Sequence, residues 1–384
     1  MNPPLVKSKR RLVIVKIGTS SLTHNDGSLN LEEMERLVDQ IAEATAKGFK
    51  IVLVTSGAVA SGMAELKVTF NPNDIIFKQA CAAAGQSILM AYYREFFKKH
   101  RLKVAQVLLT KEDLSSRVSY VHTCNVLDRL LKLGVIPIIN ENDVTSTDEL
   151  KPITKGYEVN FSDNDILSVL IANAIQADLV ILLSNVDGLY TINPKSPEAK
   201  LIPVVDQVTP ELKMSVEGKS PLGKGGMKTK LQAAEIATRS GIAVVIANSF
   251  RDRVLLDVLS GEPVGTLFRP VDKMSGMKKW IAYGASLKGQ IVVNEGAEKA
   301  ILRGASLLPI GISEVSGQFE IGDVVGLINQ DGKRFGRGMV NYSSDEINVV
   351  KGMDTSQASK VLGYMRQKEV ITRKYIHLSE EKRE

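Results

Sequence analysis

The chain has 384 residues, 44% hydrophobic and 24% charged, with a formal charge of +6. This is the make-up of a soluble globular protein long enough for two or three domains. No apolar run approaches the roughly 18 residues of a membrane span, and the basic start MNPPLVKSKRRLVIVK carries no secretory cleavage site. Two cysteines, Cys81 and Cys124, cannot build a disulfide framework and read as buried thiols in a reducing compartment, so a cytoplasmic location is expected. Split at residue 270, the chain has 32 basic and 29 acidic residues before and 17 and 14 after. A surplus of three in each part is too dilute for a dedicated nucleic-acid binder.

Up to residue 262 the pattern alternates between strand-like and helix-like runs. RLVIVKIG, FKIVLVTSG, KVAQVLLT, GVIPIIN, ADLVILLS and GIAVVIANS are the near-continuous Val/Ile/Leu segments of strands buried on both faces. Between them lie amphipathic stretches. In LNLEEMERLVDQIAEATAKG, Leu31, Met34, Leu37, Val38 and Ile41 mark one face and Gly48 is a stop signal. Helices are also predicted in NDIIFKQACAAAGQSILMAYYREFFKKH, SYVHTCNVLDRLLKLG and DNDILSVLIANAIQA. Such alternation predicts an α/β domain, a mainly parallel sheet covered by helices on both faces. From residue 263 to 276 prolines and glycines suggest a linker. Residues 277–370 predict a small, mostly β domain with at most one short helix and a hairpin through Asp331-Gly332. Residues 371–384 read as a charged, solvated tail.

In a parallel α/β sheet, ligands sit at the carboxyl ends of the strands, where helices begin. Those positions hold Lys16, then Gly18-Thr19-Ser20-Ser21; Thr55-Ser56-Gly57; Asn140-Glu141-Asn142-Asp143; Asp163-Asn164-Asp165; and Ser184-Asn185. A lysine flanked by Val13, Ile14, Val15 and Ile17 is costly to bury unless it is paired. The others have plain readings too: Ser56 as a helix cap, Asp163 or Asn164 as an N-cap, Asp165 as a complement to the helix dipole, and Asp143 as a turn former. Their common register at strand ends favours a site.

SPLGKGGMKTK, residues 220–230, has three glycines and three lysines ahead of a helical run, as a phosphate cradle would. It is no P-loop, since the position five before Gly218 is Lys213, and Gly223-x-Gly225 is followed three residues on by Lys228. His24, His100, His122 and His377 lack zinc spacing, and no G-x-S-x-G nucleophile elbow occurs.

In order, VKIGTSSLT, VTSGAVASGM, PIINENDV, FSDNDILSVLIA, LLSNVDGLYT and GKGGMKTKLQAA resemble the amino acid kinase family, and GASLKGQIVVNEGA, GASLLPIGI and FEIGDVV resemble a PUA domain. The resemblance implies a three-layer α/β/α kinase domain over 1–262 with Lys16 and Lys230 as catalytic lysines and Asp165 positioning them. It implies acceptor binding by Ser56, Asp143 and Asn164, and an ATP site lined by Ser184, Asn185, Lys224, Gly225, Gly226, Met227, Lys228, Thr229 and Lys230. The implied reaction is transfer from ATP, with Mg2+, to the γ-carboxylate of L-glutamate, opening proline synthesis under feedback by proline, in a homo-oligomer (dimer or tetramer). Asn185 stands where the family more often has Asp, and Lys224 where Thr is common. Other acceptors within the family, and RNA binding through Lys278, Lys279, Lys288, Arg303, Lys333, Arg334 and Arg337, are the competing readings.

Overall fold

A computed structural model describes residues 6, 11–24, 27–68, 74–146, 164–217, 226–271, 276–363 and 367–378. Two compact units emerge. The first comprises Met1–Lys111 and Thr123–Lys273, the second Glu112–His122 and Met274–Glu384.

The first unit begins with β1 (Leu12–Ile17), α1 (Thr19–Leu22), α2 (Leu31–Ala46), β2 (Lys50–Val54), α3 (Ala58–Leu66), α4 (Ile75–Lys99) and β3 (Lys103–Leu109). Then come α5 (Lys111–Ser115) and α6 (Arg117–Lys132), of which residues 112–122 fall in the second unit, followed by β4 (Val135–Glu141), α7 (Asn164–Ile175), β5 (Leu179–Ser184), β6 (Val204–Val205) and α8 (Pro210–Glu217). It closes with α9 (Met227–Arg239), β7 (Ala243–Asn248), α10 (Val254–Ser260) and β8 (Thr266–Phe268). All six predicted strands form. They join an eight-stranded sheet in the order β3-β4-β2-β1-β5-β7-β8-β6, parallel except where β8 runs antiparallel to β7. β1 and β5 are buried along their whole length, which is why their sequences show no polar alternation.

Alternation along β1 then sorts its side chains between two layers. Val13, Val15 and Ile17 join one core with Met34, Leu37 and Ile41 of α2, Tyr93 and Phe97 of α4, and Leu255 of α10. Each such buried side chain contributes about 1.5–3 kcal/mol. Lys16, out of phase with them, turns to the opposite face, the layer of α7 and α9. The chain leaves β1 toward β2 on one side and runs from β5 to β7 on the other, so the topological switch point lies between β1 and β5.

α3 and α4 cross at backbone contact. A Cβ on Gly62 would come within 1.8 Å of the Cys81 carbonyl oxygen, and one on Gly85 within 1.9 Å of the Ala58 carbonyl oxygen. Only glycine permits that approach, and it locks the start of α3 against the middle of α4.

The second unit adds α11 (Gly276–Lys279), a π-helical turn (Trp280–Gly284), β9 (Leu287–Val293), α12 (Glu295–Leu302), β10 (Ile312–Gly317), β11 (Val324–Ile328), β12 (Arg334–Met339), α13 (Ser344–Val350), α14 (Thr355–Leu362) and β13 (Ile376–Leu378). Its five strands run in the order β10-β9-β11-β12-β13 over a core that includes Ile291, Val325, Leu327, Phe335, Ile347 and Val370. The β11–β12 hairpin turns at Asp331-Gly332 as predicted.

Three expectations about organisation need correction. The predicted linker contains β8, because Thr266 both accepts from the Leu189 N–H and donates to the Ile202 carbonyl, tying that stretch into the first sheet. The predicted solvated tail supplies β13, paired to β12, with Ile371 and Ile376 buried; its apolar residues outweigh its charges. The second unit holds α13 and α14 besides the one helix expected. Both open with a reciprocal capping box, Ser343 with Glu346 and Asp354 with Gln357.

Candidate active site

Three charged side chains meet where β1, α7 and α9 converge. Lys16 is the next-to-last residue of β1, in a register that places it opposite Val54 and Leu182. Asp165 lies in the first turn of α7 and Lys230 in the first turn of α9. Lys16 Nζ stands 2.6 Å from Asp165 Oδ1 and Lys230 Nζ 2.9 Å from Asp165 Oδ2. Asp165 is 0% exposed, Lys16 4% and Lys230 5%. Burial alone would favour the neutral acid, but the two ammonium groups and their hydrogen bonds outweigh it and hold the Asp165 carboxyl below the usual carboxylate range. Thr229 Oγ1 adds a contact to Asp165 Oδ2 at 3.3 Å while donating to the Gly226 carbonyl.

Among the described residues, Asp165 is the carboxylate that both ammonium groups meet, two cations on one anion in a place with little water, a setting that suits an anion. The surroundings fit a phosphoryl group. A Cβ on Gly18 would lie 3.5 Å from Lys16 Nζ, so glycine leaves the space over that ammonium clear. α9 opens at Gly226, which offers no side-chain cap to its first turn, and uncapped helix starts suit phosphate. Lys224 and Gly225 lie outside the described residues.

Ser184 ends β5 beside Asn248 of β7 and is buried, while Asn185 is exposed. Met227 and Thr229 are half-buried and Lys228 exposed in the first turn of α9. Met227, Lys228 and Thr229 share the first turn of α9 with Lys230, and β5, which ends at Ser184, pairs with β1. On the β2–β4 side lies an amide-rich end. Asn164 Nδ2 donates to the Thr55 carbonyl at 2.7 Å, Ser56 Oγ at 2.9 Å and Asn140 Oδ1 at 3.1 Å. Ser56 is therefore no simple helix cap, since the N-cap of α3 is Gly57. Asp143 is half-buried in the turn after β4, and Asp163 falls outside the described residues. Gln86, from the middle of α4, accepts from Asn140 Nδ2 at 2.9 Å; nothing in its local sequence sets it apart from other helix residues. Among the described residues no three of His, Cys, Asp and Glu gather as a metal centre.

In the second unit the seven basic residues weighed as an RNA patch do not form a common exposed face. Lys279 is buried, and Arg337 Nη1 turns inward to donate to the Ala282 carbonyl at 2.6 Å. Burial and then Arg334 push the Arg337 guanidinium down to about 10.

A buried Lys–Asp–Lys cluster thus stands at the switch point of a mainly parallel α/β sheet. Residues 11–248 match the amino acid kinase family and residues 289–362 the PUA domain; the chain belongs to the amino acid kinase family. It is 44% identical to the glutamate 5-kinase of Thermoanaerobacter sp. strain X514 over 94% of its own length and 96% of that protein's. It is also 44% identical to the glutamate 5-kinase of Thermus thermophilus, over 99% and 100%. Among solved structures, the X-ray structure of an isopentenyl phosphate kinase covers 67% of this chain at 19% identity, with 99% of that chain aligned and a TM-score of 0.48.

Proposed function

We propose that this protein is a glutamate 5-kinase, transferring the γ-phosphoryl group of ATP to the γ-carboxylate of L-glutamate to give L-glutamyl 5-phosphate and ADP, the first step of proline synthesis. The observation that carries the reading is the buried Lys16–Asp165–Lys230 cluster, and the full-length glutamate 5-kinase relatives support the choice of acceptor.

A carboxylate acceptor is ionised at neutral pH, so no general base is needed. What the transfer demands is alignment of two anions and neutralisation of the charge spread over the moving phosphoryl. Lys16 and Lys230 face that charge from two elements, and Asp165 keeps both ammonium groups in place. The γ-carboxylate oxygen attacks phosphorus, the bond to the bridging oxygen breaks, and ADP leaves with that electron pair. Ser184, Asn185 and the 224–230 segment hold the nucleotide, and Ser56, Asp143 and Asn164 hold glutamate. Mg2+, carried on the nucleotide, supplies further neutralisation of the phosphate oxygens. The same reading brings feedback inhibition by proline, a homo-oligomer and a cytoplasmic location; proline titration and gel filtration check the first two.

The test is Mg- and ATP-dependent ADP release with L-glutamate, N-acetylglutamate, L-aspartate or UMP offered singly. Turnover with L-glutamate is expected, with loss of about 10²–10³-fold in Lys230→Ala. Turnover confined to another acceptor would overturn the substrate, and an active Lys230→Ala would overturn the site.

A further inference from the structure

Beneath the acceptor end runs a chain of side-chain amides whose polarity two backbone groups decide. The Glu141 N–H donates to Asn140 Oδ1 at 2.9 Å, which fixes the oxygen side of that amide. Asn140 Nδ2 must then donate, and Gln86 Oε1 accepts at 2.9 Å. Asn164 is fixed from another direction: its Nδ2 lies 2.7 Å from the Thr55 carbonyl oxygen and 3.1 Å from Asn140 Oδ1. Both partners are acceptors. Turning Asn164 over would set its oxygen against two others, so the amide has one orientation. Its Oδ1 is left buried, meeting no donor among the described residues. A buried acceptor without a donor is costly unless a ligand brings one.

We propose that Gln86 is a positioning residue for acceptor recognition, holding Asn140 and through it Asn164 so that Asn164 Oδ1 accepts a hydrogen bond from an ammonium on the substrate. This rests on reading this end of the site as the glutamate end. Gln86 is 8% exposed and follows Gly85, whose backbone meets the start of α3. It therefore stands where α4 meets α3 at backbone contact and has little freedom to release Asn140. The donor is the α-ammonium of L-glutamate, the cation that the proposed function brings to this end, and an amide oxygen can accept from it.

The experiment compares L-glutamate with glutarate, the same dicarboxylate without the amine, as acceptor or as competing inhibitor, in the wild type, Gln86→Leu and Gln86→Glu. The wild type is expected to bind L-glutamate more tightly than glutarate. Gln86→Leu should raise KM for L-glutamate about fivefold, the worth of one net hydrogen bond. It should shrink the preference over glutarate by the same factor, with KM for ATP unchanged. Gln86→Glu, which keeps an acceptor toward Asn140 Nδ2, should retain most of the preference. Equal weakening of both ligands in Gln86→Leu would make Gln86 merely structural and overturn the proposal, as would an unchanged preference. A wild type that binds glutarate as well as L-glutamate would refute recognition of the amine. A wild type that turns over no L-glutamate would instead sink the proposed function.

Discussion

Replacing Asp165 by Asn removes the negative charge between two buried ammonium groups while preserving volume. Lys16 and Lys230 then share a site that is 0–5% exposed with no counter-charge at 2.6 and 2.9 Å. Breaking a buried ion pair by deleting one partner costs about 3–5 kcal/mol. One escape is for an ammonium to shed its proton, which at pH 7 costs an ordinary lysine about 4.6 kcal/mol and at pH 9 only about 1.9. The two figures for pH 7 agree, so the penalty is capped there and should fall as pH rises. Because the chain has two compact units, the quantity to follow is the melting transition of the first. At roughly 2–4 °C per kcal/mol, Asp165→Asn should melt about 10 °C lower at pH 7, with a visibly smaller gap at pH 9. ADP release should drop by at least about 10²-fold, since both lysines lose their position. A gap below about 2 °C at pH 7, or one that does not change with pH, would refute the account of two ammonium groups held by one carboxylate.

Acid should act from the other side. The Asp165 carboxyl is depressed in the folded state, so its contribution is complete above the usual carboxylate pKa and vanishes only as pH falls through its own lowered value. The difference in melting between wild type and Asp165→Asn should therefore persist through about pH 4; closure of the gap between pH 6 and 4 would contradict it. Gly85→Ala places a Cβ 1.9 Å from the Ala58 carbonyl oxygen, so α3 and α4 must separate. More than about 3 kcal/mol of destabilisation and a raised KM for L-glutamate are expected, checked by thermal melting and steady-state kinetics. Ser343→Ala removes half of the capping box on α13 and should lower the second transition by about 1 kcal/mol without touching kinase activity.

What can be read from the sequence follows from how each element is buried. Strands covered on both faces leave unbroken apolar runs, so all six long strands of the first unit are visible, and a lysine inside one of them, Lys16, stands out as a cost needing a reason. β8 is not visible, because its three residues lie among Pro263, Gly265 and Pro270 and are held by Thr266 rather than by a long apolar pattern. α13 and α14 carry a legible signal that glycine-rich surroundings obscure: Ser343-x-x-Glu346 and Asp354-x-x-Gln357 are capping boxes in plain sequence. β13 hides among charges that its own apolar residues override. Gln86 has no local signature at all. Its proposed role comes from meeting Asn140 across 54 positions of chain, a contact that the fold alone reveals.

The triad is assembled by tertiary packing across long stretches of chain. Asp165 and Lys230 are 65 positions apart and join because α7, packed on β1 and β5, also packs against α9, which lies on β7. A balanced pair in that place would serve stability alone and could be replaced by packed apolar residues at little cost. On the proposed function, the second lysine would favour the complex with an anion over the free enzyme. That trade fits a phosphotransfer site, because the charge it favours is greatest while the phosphoryl group is in transit between two anions.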